Sequence, residues 1–181
     1  MNFGTNEKKE ISIRFCGAGG MGIILASIVL GQAAIDDGKN AIQTQSYGAE
    51  QRGTKVKSDI LISEFEDPTF PLFEKVDILI AFSQDAFDHF LPDTYEDSVI
   101  LINKDLIEFN EERQHVYKIP ASTIAEELHN PRVMNIVMIG SLLKITNIIS
   151  NDSIINSIKS SVPKEYKQVN VEAFQKGYES I

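Results

Sequence analysis

The chain has 181 residues, a formal net charge of −9, and hydrophobic and charged fractions of 43% and 24%. That length can enclose one full core, and the acidic balance argues against non-specific binding to nucleic acid or anionic lipid while suiting a solvated cytoplasmic surface. The single cysteine, Cys16, excludes an internal disulfide framework, an iron–sulfur cluster and a cysteine zinc site.

Residues 1–10 are polar, lack the apolar core of a signal peptide, and are expected to be loose. An apolar run over 11–16 predicts the first strand, with Cys16 as a buried packing residue at its end. The glycine-rich stretch FCGAGGMGIILA follows, over 15–26, with Gly17, Gly19, Gly20 and Gly22. Gly17 and Gly19 are expected in turns that a Cβ would block, and Gly22 where the helix start presses on the strand. A helix is predicted over 21–37. It is apolar almost all round, so it should be covered on most sides. Its N-terminus offers N–H groups and a partial positive charge to an anion. Gly38 is the natural stop, and 40–44 reads as a second strand. Gly, Gln and Asp interrupt the longest apolar run short of membrane-spanning length, so no membrane partner is expected.

The next informative stretch is QTQSYGAEQRG, residues 43–53, in which Gly48 and Gly53 bracket Tyr47, Glu50 and Arg52. An aromatic, an acid and an arginine between two glycines can be displayed from a rigid sheet. Equally, the loop can close on itself through a Glu50–Arg52 contact. Beyond it, 55–63 is a strand, and 64–73, with Pro68 and Pro71, is a connection. Residues 76–82 form a central apolar strand, and Ser83 caps a short helix to about Phe90. Strands follow at 98–103 and 116–119, the latter ending at Pro120.

The remainder is helical: 122–128, 131–149, 154–162 after a break at Ser150, Asn151 and Asp152, and 164–178 opened by Pro163. In 131–149, Val133, Ile136, Val137, Gly140 and Leu143 form the apolar face, with Ser141 and Lys144 opposite. Strands separated by helices early and helices gathered late predict a three-layer α/β/α sandwich with a largely parallel sheet, one domain over 1–181.

The residues do not complete a catalytic apparatus. A Rossmann site wants a carboxylate about 20 residues past the glycines, at the end of the second strand. Here that region is Ile42, Gln43, Thr44 and Gln45. A Walker loop wants Lys-Ser or Lys-Thr after its last glycine, and Gly22 is followed by Ile23 and Ile24. His89, His115 and His129 lack ligand spacing, and Asp85 and Asp88 beside His89 suit helix ends better than a metal. Ser46 and Ser83 lack the flanking glycines of a nucleophile elbow. No catalytic residue and no metal ligand is assigned.

The stretches FCGAGGMGIILA and TQSYGAEQRG, in this order, resemble the gamma subunit of the 2-oxoacid:ferredoxin (acceptor) oxidoreductases. SDILIS, VDILIAFSQDAFD, NIVMIGSL and EAFQKGYE extend the resemblance over nearly the whole chain. The TQSYG form of the loop looks most like the 2-oxoglutarate type. The resemblance implies a subunit of a complex that oxidatively decarboxylates a 2-oxoacid with coenzyme A to an acyl-CoA and carbon dioxide, passing electrons to ferredoxin. It implies alpha, beta and ferredoxin-like delta partner subunits. Thiamine diphosphate, Mg2+ and the iron–sulfur clusters belong to those other chains, and this chain alone is expected to bind no cofactor and to be inactive. Gly17, Gly19, Gly20, Gly22, Tyr47, Gly48, Glu50, Arg52 and Gly53 match the family pattern and are expected at the coenzyme or partner interface. Met21 replaces the usual Gln and Thr54 a frequent second Gly. An unpartnered glycine-rich pole should drive homodimerisation of the chain alone. The other reading is a stand-alone nucleotide- or coenzyme-binding α/β module.

Overall fold

The computed structural model describes residues 9–46, 55–64, 73–110, 113 and 115–181. The elements are β1 (Glu10–Ala18), α1 (Ile23–Asp36), β2 (Asn40–Ser46), β3 (Lys55–Ser63), β4 (Val76–Ala81), α2 (Gln84–Phe90), β5 (Thr94–Asn103) and β6 (Val116–Ile119). They continue with α3 (Ala121–Glu127), α4 (Met134–Thr146), α5 (Asn151–Ser161) and α6 (Lys167–Glu179). The six strands form one sheet in the order β2-β3-β1-β4-β5-β6. β1, β4, β5 and β6 run parallel, whereas β3 is antiparallel to both β1 and β2. This is the expected α/β sandwich, largely parallel, with an antiparallel wing.

Alternation along β1 divides the interior. Ile11, Ile13 and Phe15 join the larger core, under α1 and the late helices α3 to α6. Cys16 joins the smaller core on the opposite face, with Phe87 and Phe90 of α2 and with Ile107 and Phe109. The third layer is therefore thin, one short helix and a packed segment. β4 is apolar on both faces, as a strand covered from both sides requires.

The smaller core contains one charge cluster. Arg14 is fully buried, and its guanidinium grips Asp59 with two parallel bonds of 2.7 and 2.8 Å. It also donates to Asp93 and to the Phe73 carbonyl, and lies 5.3 Å from the Phe90 ring centroid. The fork matches a carboxylate plane, which a lysine cannot do. It ties β1 to β3 and to the turn that leads into β5.

Three expectations are corrected. β5 begins at Thr94, earlier than residue 98, because its first half, Thr94 to Asp97, is polar and gives no apolar signal. α5 begins at Asn151, since Ser150 is itself the cap, accepting the Ser153 N–H at 3.3 Å. Ser141 does not lie on an outer face. It is fully buried and donates to the Gly177 carbonyl at 2.9 Å. It can do so because α4 and α6 touch backbone to backbone: a Cβ on Gly140 would stand 2.2 Å from the Phe174 oxygen. α1 is covered on most sides, as expected, and leaves Ile28 and Ile35, 42% and 52% exposed, along one edge. Among the described residues no helix is long and apolar enough to cross a membrane.

Candidate functional site

β1 and β4 are adjacent and parallel, but their following helices part. α1 leaves toward the larger core and α2 toward the smaller one. At such a switch point the two connections diverge and leave a crevice beyond the carboxyl ends of the strands. The glycine turn forms one lip of it. Phe82 and Ser83 form the other, with the Phe82 N–H continuing the ladder onto the Cys16 carbonyl at 2.9 Å.

The four glycines have different duties. Gly17 is inside β1, and a Cβ there would lie 2.8 Å from Ile23 Cδ1 and 2.9 Å from Phe82 Cβ. Its role is space, so that the end of β4 and the start of α1 can close on it, rather than a special turn. Gly20 and Gly22 carry the positive φ angles, +93° and +74°. Gly22 is the N-cap of α1, and what it presses on is not the strand but Asn135 of α4. The Asn135 amide donates to the Gly22 carbonyl at 3.1 Å, and a Cβ on Gly22 would fall 2.5 Å from that nitrogen. Gly19 differs from all of these. It has no positive φ, it is exposed, and a Cβ there would meet no described residue within 4 Å. Among the described residues, no contact requires glycine at 19. The first-turn N–H groups of α1, which have no intrahelical partner, begin just beyond it.

Tyr47, Gly48, Glu50, Arg52 and Gly53, and with them the choice between display and a Glu50–Arg52 contact, lie outside the described residues. The strands that carry this segment are described. Ala18 at the end of β1 pairs with Lys55 at the start of β3, and Ser46 at the end of β2 pairs with Lys57. Segment 47–54 thus departs from and returns to the sheet edge that carries the glycine turn. The two motifs, separated by about 25 residues in sequence, spring from one pole.

The same topology explains the missing ribose carboxylate. β3 intervenes between β2 and β1, so the end of β2 is not next to the glycine turn as a dinucleotide site requires. Gln43 turns inward instead, its amide donating to Ser58 Oγ at 3.0 Å and to Ser27 Oγ. Ser83 occupies the N-cap of α2 without a side-chain capping bond. Cys16 is fully buried, and burial, opposed by the Arg14 charge, pushes its thiol well up from the ordinary range. It is a neutral thiol, not a nucleophile. Among the described residues no three His, Cys, Asp or Glu side chains cluster as metal ligands.

Asn135 was not singled out by sequence reasoning. It opens a stretch, NIVMIGSL, whose apolar neighbours announce only a core helix. The one available signal was a polar residue at the head of an otherwise buried run. The inward network of Ser27, Gln43 and Ser58 was likewise hidden among residues that read as ordinary strand and helix polar positions.

Residues 12–180 match the family model described as pyruvate ferredoxin/flavodoxin oxidoreductase. The chain is 46% identical over 177 residues to 2-oxoglutarate synthase subunit KorC of Methanocaldococcus jannaschii, covering 95% of this chain and 94% of that one. It is 30% identical over 177 residues to pyruvate synthase subunit PorC of Methanothermobacter marburgensis, covering 94% and 97%. Among solved structures it is similar to the keto/oxoacid ferredoxin oxidoreductase gamma subunit from Geobacter sulfurreducens. There the TM-score is 0.82 at 34% identity, over 94% of this chain and 97% of that one.

Proposed function

This chain belongs to the pyruvate ferredoxin/flavodoxin oxidoreductase family, and we propose that it serves as the gamma-type subunit of a complex oxidising 2-oxoglutarate. The reaction is oxidative decarboxylation of the 2-oxoacid with coenzyme A to an acyl-CoA and carbon dioxide, with electrons leaving to ferredoxin. Identity of 46% to a 2-oxoglutarate synthase subunit against 30% to a pyruvate synthase subunit, both over nearly full length, supports the choice of acid.

The cofactors belong to other chains. Thiamine diphosphate with Mg2+ supplies the carbanion chemistry, and iron–sulfur clusters carry the electrons. One buried cysteine does not fit a cluster that needs several thiolates. We assign this chain a binding and positioning task. The crevice between β1 and β4 faces the alpha, beta and delta subunits and the coenzyme, with Gly19 and Gly20 admitting a phosphate or a partner backbone at the start of α1. Tyr47, Glu50 and Arg52, carried from the same edge, complete that face. Arg52 is suited to clasp a phosphate or carboxylate with two bonds.

The observation that carries this reading is Gly19: a glycine that no described residue requires, at the pole where β1 and β2 end and β3 begins. The test is affinity purification of the tagged chain from its native cell, followed by dye reduction with a panel of 2-oxoacids. Co-purification of a thiamine-diphosphate-binding chain with 2-oxoglutarate as the preferred acid is the expected result. A chain recovered alone, or a complex that prefers pyruvate, contradicts it.

A further inference from the structure

We propose that Asn135, at the head of α4, is a positioning residue for the glycine turn: its side-chain amide holds the Gly22 carbonyl and so fixes where Gly19 and Gly20 stand against the coenzyme or partner. The inference rests on the binding role given to that turn above and names the residue that sets its place.

A buried side-chain amide needs hydrogen-bond partners, and Asn135, 2% exposed, finds them at the starts of two helices. Its Oδ1 accepts the Ile136 N–H at 2.9 Å, one of the first-turn donors of α4 that have no partner along the helix. Its Nδ2 donates to the Gly22 carbonyl at 3.1 Å. That carbonyl already accepts the Ala26 N–H at 2.9 Å, in the first turn of α1. It would keep this partner without Asn135, so the second bond is not there to pair a stranded acceptor. What it adds is a fixed distance between the two helix starts, across 113 residues of sequence. The fit is close, since a Cβ on Gly22 would collide with the same nitrogen.

An anchor positions its neighbour only if it is itself held, and α4 is. The sulfur of Met134, next to Asn135, accepts from Asn103 Nδ2 at 3.1 Å and from Ser122 Oγ at 3.3 Å. These bonds tie the start of α4 to the end of β5 and the start of α3. Further along, α4 lies backbone to backbone on α6, where a Cβ on Gly177 would overlap the Val137 carbonyl oxygen. The glycine turn has the opposite character. Gly20 and Gly22 have positive φ, and a Cβ on Gly19 would meet no described residue within 4 Å. The backbone bond across the turn, from the Met21 N–H to the Ala18 carbonyl, is long at 3.3 Å. Glycines at 19, 20 and 22 give such a turn wide conformational freedom. The Asn135 amide ties its far end to a rigid helix and thereby chooses one conformation.

The experiment compares Asn135→Ala with Gly19→Ala in the assembled complex. Ser141→Ala is the control for stability alone, because it deletes a buried hydrogen bond of the same helix, to the Gly177 carbonyl, away from the turn. Asn135→Ala should shift the same kinetic constant as Gly19→Ala, turnover or the KM for coenzyme A, by about fivefold, the size expected for one hydrogen bond. Subunit stoichiometry and the KM for 2-oxoglutarate should not change, and Ser141→Ala should keep wild-type kinetics. Joining Asn135→Ala to Gly19→Ala should cost less than the product of the separate losses, because both act through one turn. If Asn135→Ala misfolds by circular dichroism, Asn135→Asp, which keeps the shape and the Oδ1 acceptor, takes its place. Wild-type kinetics in the folded Asn135 variant beside a defective Gly19→Ala overturns this inference alone. So does the same defect in Ser141→Ala, which would make the effect one of stability. If Gly19→Ala is also wild type, the binding role of the turn fails and this inference falls with it.

Discussion

Alanine at Gly22 and alanine at Gly19 should separate folding from function within one turn. At Gly22 the φ of +74° places a side chain in the left-handed region, at a cost of about 1–2 kcal/mol. The new Cβ would also lie 2.5 Å from Asn135 Nδ2, forcing the amide aside and breaking its bond to the Gly22 carbonyl, about 1 kcal/mol more. Together the loss is about 2–3 kcal/mol, which in a domain of this size lowers Tm by about 4–12 °C. At Gly19 neither term arises among the described residues, because φ is not positive and a Cβ would meet none of them within 4 Å. Gly19→Ala should match or slightly exceed wild-type stability, by up to about 1 kcal/mol, through the less flexible unfolded chain. Thermal unfolding of the isolated chain reads the first half of the prediction. The second half is read in the assembled complex, where Gly19→Ala should lower turnover or raise the apparent KM for coenzyme A about tenfold. The reasoning fails if Gly19→Ala destabilises the chain as much as Gly22→Ala, or if the Gly19→Ala complex keeps wild-type kinetics.

Three further outcomes are expected. Arg14→Met should cost up to about 3–5 kcal/mol in urea denaturation, since it removes both bonds of the fork and leaves the nearly buried Asp59 carboxylate with Lys57, 3.2 Å away, and Arg14→Met/Asp59→Leu should recover much of that loss. Cys16 should resist thiol reagents in the native chain at pH 8 and react fully once the chain is unfolded, because burial holds the thiol protonated; rapid native labelling would contradict its placement. Arg52→Ala in an intact complex should raise the KM for coenzyme A or lower turnover by about ten- to a hundredfold. If Arg52→Ala and Glu50→Gln both shed the subunit on a sizing column, the pair only holds its own loop.

The strands were legible where their apolar signal ran to the end. β3 and β6 were bounded from sequence as they stand in the structure, because turn residues and charge flank each run. β5 was half hidden, since Tyr95, Glu96 and Asp97 near its start are exposed and look like loop. The sheet order was not legible. Nothing local to β3 says that it inserts antiparallel between β1 and β2, yet that insertion removes the dinucleotide geometry and brings the two glycine motifs to one pole. At the site, four glycines could be located but not told apart. Gly17 needs room against Phe82, and Gly22 needs room for Asn135, which follows 113 residues later in the chain. Ser141 was misplaced for a related reason: a helix against a glycine-lined neighbour can bury a hydroxyl on any side.

The central claim is that this chain completes a 2-oxoglutarate-oxidising complex through the edge carrying its glycine turn. The direct measurement is 2-oxoglutarate- and coenzyme A-dependent dye reduction by the co-purified partner subunits, with this chain withheld and then added back. The account predicts little activity without the chain, restoration by the wild type at a fixed stoichiometry, and failure of folded Gly19→Ala to restore it fully. Full activity from the partner subunits in the absence of this chain would contradict it.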